Sequence, residues 1–106
     1  MFIVNTTIAV NWVLPSMVVP TPLEDLDVRL RAPDGTVTII ESAIAAEDYI
    51  PPTDTQPGGV TYQFTPDSKG VWLVVLVVVS ETAPVYNEYF LEVWVNDTHI
   101  YQQVRM

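Results

Sequence analysis

Residues 60–79 read VTYQFTPDSKGVWLVVLVVV, and the two halves of this stretch follow different rules. Val60, Tyr62 and Phe64 alternate with Thr61, Gln63 and Thr65, the period-2 pattern of a strand with one wet face. Pro66 to Gly70 is turn chemistry. From Val71 to Val79 the alternation stops and every residue is apolar, so this second strand must be covered on both faces, by its own fold or by another molecule.

Outward from this pair the rest of the chain is also strand and turn. The even positions Phe2, Val4, Ile8, Val10 and Trp12 are apolar with Asn5, Thr7 and Asn11 between them, which predicts one opening strand that Pro15 breaks. Leu26, Val28 and Leu30 alternate with Asp27, Arg29 and Arg31, so the register of this strand is tightly specified. Pro33-Asp34-Gly35 pre-sets φ and then supplies positive φ, the signature of a hairpin turn. The β-branched run Thr36 to Ile40 returns as its partner.

Residues 43–48 are too short for an independent helix and read as a bend. Residues 49–59 form an exposed loop with one short edge strand at Tyr49. A last strand places Tyr89, Leu91, Val93 and Val95 on one face and Phe90, Glu92, Trp94 and Asn96 on the other, and residues 97–106 are a tail. Short strands separated by turns, with no helical period, predict a single domain over 1–106, an all-β antiparallel sandwich of about seven strands.

The set Asp34-Gly35-Thr36, Val60-x-Tyr62-x-Phe64-x-Pro66 and Gly70-Val71-Trp72 resembles the immunoglobulin-like domains of bacterial surface proteins. It is especially similar to small structural proteins of tailed bacteriophage virions. The likeness covers about Leu26 to Val79, and Trp12-x-Leu14-Pro15 also resembles the phage versions. It implies an immunoglobulin-like β-sandwich acting as a capsid decoration, a neck or head-tail connection component, or a tail accessory, in a virion assembled in the host cytoplasm. The two cysteines of antibody domains are missing, which removes the implied disulfide and leaves the sandwich.

Composition narrows the function further. With 13 acidic residues against Arg29, Arg31, Lys69 and Arg105, the formal net charge is -9, so direct nucleic-acid binding is disfavoured for want of clustered cations. The absence of cysteine excludes thiol catalysis and zinc ribbons. The first residues do not read as a secretory signal, and the longest apolar run is far shorter than the ~20 residues of a membrane-spanning helix; no membrane partner is expected.

His99 is the only histidine and no strained nucleophile turn accompanies it, so no catalytic residue is assigned and no enzyme is expected. The carboxylate pairs Glu24-Asp25 and Glu47-Asp48 read as solvated charges. Asp34 and the loop around Asp54 lack the spaced acidic pattern of a calcium loop, and no metal or cofactor is expected.

The expected function is association. If Leu73, Val75, Leu91 and Val93 point inward, then Trp72, Val74, Leu76, Val78, Phe90 and Trp94 form a second, apolar face that needs cover. Either the connections at 13–23 and 43–59 or the tail fold back over this face, or it packs on a neighbouring molecule; in the second reading these six are the predicted interface, with residues 48–59 and 97–106 as secondary contacts. The partners are further copies of the chain and larger capsid, neck or tail proteins. The alternative is a carbohydrate-binding or adhesion module, with exposed Trp72 and Trp94 as stacking platforms and Trp12 in the core.

Overall fold

The structure is a computed structural model that describes residues 2–79 and 87–96, with the side chains of Phe2 and Asn87 excepted. The strands are β1 (Phe2–Ile3), β2 (Ile8–Leu14), β3 (Leu26–Arg31), β4 (Val37–Ile40), β5 (Tyr49–Ile50), β6 (Gly58–Phe64), β7 (Gly70–Val78) and β8 (Asn87–Asn96). They form a sandwich of two sheets, one ordered β1-β8-β7-β3-β4 and the other β2-β6-β5. All pairings are antiparallel except that of β1 with β8. The expected all-β antiparallel sandwich is therefore the observed fold, with eight strands among the described residues.

The opening strand departs from expectation. It is two strands in different sheets, divided at Asn5, whose φ of 64° is left-handed. Asn tolerates this conformation because its short polar side chain bonds locally. The crossing is anchored by Val4 N–H on the Asn96 carbonyl at 2.8 Å and Asn5 N–H on the Pro66 carbonyl at 2.7 Å. Beyond it, β2 alternates without a fault: Ile8, Val10, Trp12 and Leu14 are buried and the residues between them exposed.

The β3–β4 hairpin forms as the Pro33-Asp34-Gly35 pattern predicts. Gly35 takes φ 94°, its N–H bonds the Ala32 carbonyl at 2.9 Å, and Ala32 N–H bonds the Thr36 carbonyl at 2.9 Å. This is a type I turn closed by a glycine bulge. Asp34 accepts the Thr36 N–H at 2.9 Å, and that bond holds its carboxyl below the usual carboxylate range. The bend expected at 43–48 contains a single 3-10 turn at Ala46–Asp48, and another at Leu23–Asp25 leads into β3.

Between the sheets lies one apolar core, to which β2 brings its four buried side chains, β3 Leu26 and Val28, β6 Val60 and Phe64, and β8 Val93 and Val95. Each such side chain contributes about 1.5–3 kcal/mol on leaving water. Close packing also dictates one glycine: a Cβ on Gly58 would collide with the Ile50 carbonyl oxygen and stand 2.6 Å from the Pro52 nitrogen. Tyr49 closes the side of the core, its hydroxyl donating to the Thr21 carbonyl at 2.8 Å, and partial burial raises its pKa.

Candidate functional site

The register of β7 against β8 decides which face is available to a partner. Trp72 stands opposite Val93, Val74 opposite Leu91 and Leu76 opposite Tyr89. Cross-strand partners share a face, so the even positions of β7 lie with the odd positions of β8. Trp72, Val74, Leu76 and Val78 accordingly sit in the core, at 8%, 0%, 0% and 5% exposure. This corrects the predicted face: these four side chains point between the sheets, while Phe90 and Trp94 lie on the opposite, outer face. Of the six predicted contact residues only Phe90 and Trp94 are exposed, each at 57%.

The outer face is built from rows that run across the strands. Ile39, Arg29, Val75 and Phe90 make one row; Val37, Arg31, Leu73 and Glu92 make the next. Asp27, Val77 and Glu88 lie on one side of these rows, and Val71 with Trp94 on the other. Val75 is almost fully buried although it points outward. Its neighbours on either side are Arg29 and Phe90, and Arg29 reaches over β7 to grip Glu88 with both guanidinium nitrogens, at 3.1 and 3.3 Å. The aliphatic stem of an arginine in such a bridge covers apolar surface while its charge stays in water.

Thus part of the cover that the apolar β7 strand demands comes from the chain itself. The remainder of the outer face stays open: Phe90, Trp94, Ile39 and Val37 are exposed. A shallow groove of about 300 Å³ runs along the Arg29–Glu88 bridge, walled by Ile39, Val77 and Val79. A second hollow lies between Val71 and Trp94.

At the hairpin end of the sandwich the two sheets separate into a cleft of about 410 Å³, lined by Leu30, Thr36, Thr38, Phe64 and Trp72. Its rim carries Asp34, Asp67 and Ser68, and the Trp72 indole N–H donates to the Ser68 carbonyl at 3.0 Å. No base lies among the lining residues beyond carboxylates, and Asp34 is already engaged by its own turn.

Among the described residues no group of three His, Cys, Asp or Glu side chains is close enough to hold a metal ion. None of their helices is long and apolar enough to cross a membrane. His99 and the tail at 97–106 lie outside the described residues, so that secondary contact is not placed by the structure. The loop at 48–59 is placed, and it presents Ile50 beside exposed Val13 across Gly59. Of the two tryptophans expected to face outward, Trp94 does and Trp72 does not; Trp12 is buried, as its alternation predicted.

The exposed position of Val37 and Ile39 on β4 was not singled out in the sequence, although their alternation with Thr36 and Thr38 carried the signal. No family model matches this chain, and no curated protein or solved structure matches it significantly.

Proposed function

We propose that this chain is a non-enzymatic assembly domain that self-associates, and that it docks onto larger proteins through the outer face of its five-stranded sheet. Its setting in this reading is the virion of a tailed bacteriophage, on the capsid, at the neck or on the tail. The observation that carries the docking surface is the pair Phe90 and Trp94, two large side chains on the same face of β8, four positions apart with Glu92 between them, each 57% exposed. Aromatic side chains of this kind anchor interfaces because they bring large area at low entropic cost.

The immunoglobulin-like part of the reading draws support from the strand order. The β3, β7 and β8 strands stack as C, F and G do in immunoglobulin sandwiches, with β4 beside β3 and the opposing sheet made from β2, β6 and β5. The phage setting rests on the motif resemblance at Leu26 to Val79.

Mass spectrometry of purified particles tests the setting, because a structural component is present in a fixed copy number that survives stringent washing. A chain absent from such particles sinks it. For the docking face, Phe90→Ser with Trp94→Ser leaves the chain folded, with a small loss of stability where Phe90 flanks Val75, and removes it from the particles. Carbohydrate binding is the second reading, favoured by the exposed indole of Trp94. It requires glycan-array binding that Trp94→Ala abolishes.

A further inference from the structure

The β4 strand is bare in three directions. It is the edge of the five-stranded sheet, and no described strand pairs with its far side. Both its faces are also open: Val37 and Ile39 are exposed on the outer side and Thr38 is exposed on the inner side. That inner side borders the 410 Å³ cleft, which Thr36 and Thr38 line.

Protected edges carry lysine, proline, a bulge or an inward charge. The β4 strand is short and starts beyond the Gly35 bulge, but its four residues, Val37–Ile40, carry no lysine, proline or inward charge. The other long edge, β2, differs in kind, because its inward side chains are already packed in the core. A strand added there must also match that core.

The hydrogen-bonding phase of β4 is set by the turn. Ala32 N–H bonds the Thr36 carbonyl, and the ladder alternates from there. Thr38 and Ile40 therefore direct their backbone groups toward β3, as Thr36 does its carbonyl while its N–H bonds Asp34. Val37 and Ile39 direct theirs outward, two N–H donors and two C=O acceptors in a row.

We propose that β4 is a self-association edge: two copies pair antiparallel through β4 about a two-fold axis at Thr38, normal to the sheet. In this register Val37 of each copy stands opposite Ile39 of the other, and the outward-directed donors and acceptors meet in two hydrogen-bonded pairs. Thr38 faces its own copy in the non-hydrogen-bonded position. The seam is confined to Val37–Ile40, because Gly35 at φ 94° and Ser42 at φ 48° turn the chain out of the strand on either side, and none of these four residues is charged. An axis at Ile39 instead sets Val37 against Glu41 and loses this match. The two five-stranded sheets become continuous, and both Phe90–Trp94 surfaces face the same side.

This assignment rests on the reading of the chain as an assembly domain, and locates its self-contact away from Phe90 and Trp94. The tests separate the two. Sedimentation equilibrium of the whole chain shows twice the 11.9 kDa monomer mass as concentration rises. Ile39→Lys, and independently Ile39→Pro, which removes an edge donor and no bond to β3, return it to monomer with unchanged circular dichroism. Phe90→Ser with Trp94→Ser leaves the dimer intact.

The register has its own assay. The chain has no cysteine, so a Thr38→Cys variant forms a disulfide only between copies, across a pair whose Cα atoms are about 4.5 Å apart. It cross-links in air many-fold faster than Gln63→Cys on the other sheet. A chain that stays monomeric at all concentrations overturns the proposal. So does a dimer that survives both Ile39 variants or is lost with Phe90 and Trp94, and so does Thr38→Cys cross-linking no faster than Gln63→Cys.

Discussion

Leu76 and Trp94 both stand on the central hairpin of the five-stranded sheet, and their substitution should have opposite consequences. Leu76 is 0% exposed and Trp94 is 57% exposed. Truncation of a fully buried leucine costs about 2–5 kcal/mol, the lost transfer energy together with the cavity left behind. In a domain near this size a loss of about 3 kcal/mol lowers the melting temperature by roughly 12–24 °C, so Leu76→Ala remains folded and melts early. Leu76→Glu adds the desolvation of a carboxylate, several kcal/mol more, and the sum rivals the whole stability of about 5–15 kcal/mol. The expected product is an unfolded chain. Trp94→Ser changes stability by no more than about 0.5 kcal/mol, as at other open surface positions. Thermal melts followed by circular dichroism measure all three variants. A cooperative Leu76→Glu melt within a few degrees of wild type would refute the placement of this face in the core, as would a Trp94→Ser loss equal to that of Leu76→Ala.

Gly58→Ala forces a methyl group against the Ile50 carbonyl and Pro52; a destabilisation of about 1–3 kcal/mol, read from urea melts, is expected for overpacking of this kind. Arg29→Ala with Glu88→Ala, taken as a double-mutant cycle, yields a coupling of only about 0.2–1 kcal/mol, because the pair is 32% and 23% exposed. Arg29→Ala alone further uncovers Val75, so Arg29→Met retains more stability than Arg29→Ala. The Asp34 carboxyl, depressed by the Thr36 N–H, stabilises the hairpin in its charged form. That contribution is present above the ordinary value of 3.8 and is lost as pH falls through the lower folded value. Asp34→Asn keeps an acceptor for Thr36 and removes this dependence, which carboxyl titration by NMR and acid melts can follow.

Where a strand alternated, its inward face was legible from the residues: Ile8 to Leu14 bury every second side chain, and Leu26, Val28, Val60 and Phe64 are buried as their polar neighbours imply, with Leu30 and Tyr62 half-buried on the same faces. The β7 strand could not be read this way. Being apolar on both faces, it carries no phase of its own, and its inward side is settled by the register against β8. Val78 opposite Asn87 gives an odd residue sum, which sets Trp72 with Val93 and not with Trp94. That parity depends on the connection between the strands, where the sequence offers no hydrophobic pattern. The expected cover on both sides of β7 was sound in principle, and half of it is the opposing sheet. The long reach of Arg29 to Glu88 lay beyond any reading of neighbours, since the two residues are distant in the chain and belong to strands separated by β7.

The three tryptophans occupy three different environments. Trp12 is buried with its indole N–H unpartnered, Trp72 is buried with its N–H held by Ser68, and Trp94 stands in water. Intrinsic emission therefore contains a depth gauge. A soluble quencher reaches Trp94 first, leaving a blue-shifted remainder from the interior, so the same spectrum separates loss of the fold from occupation of the outer face without any added label.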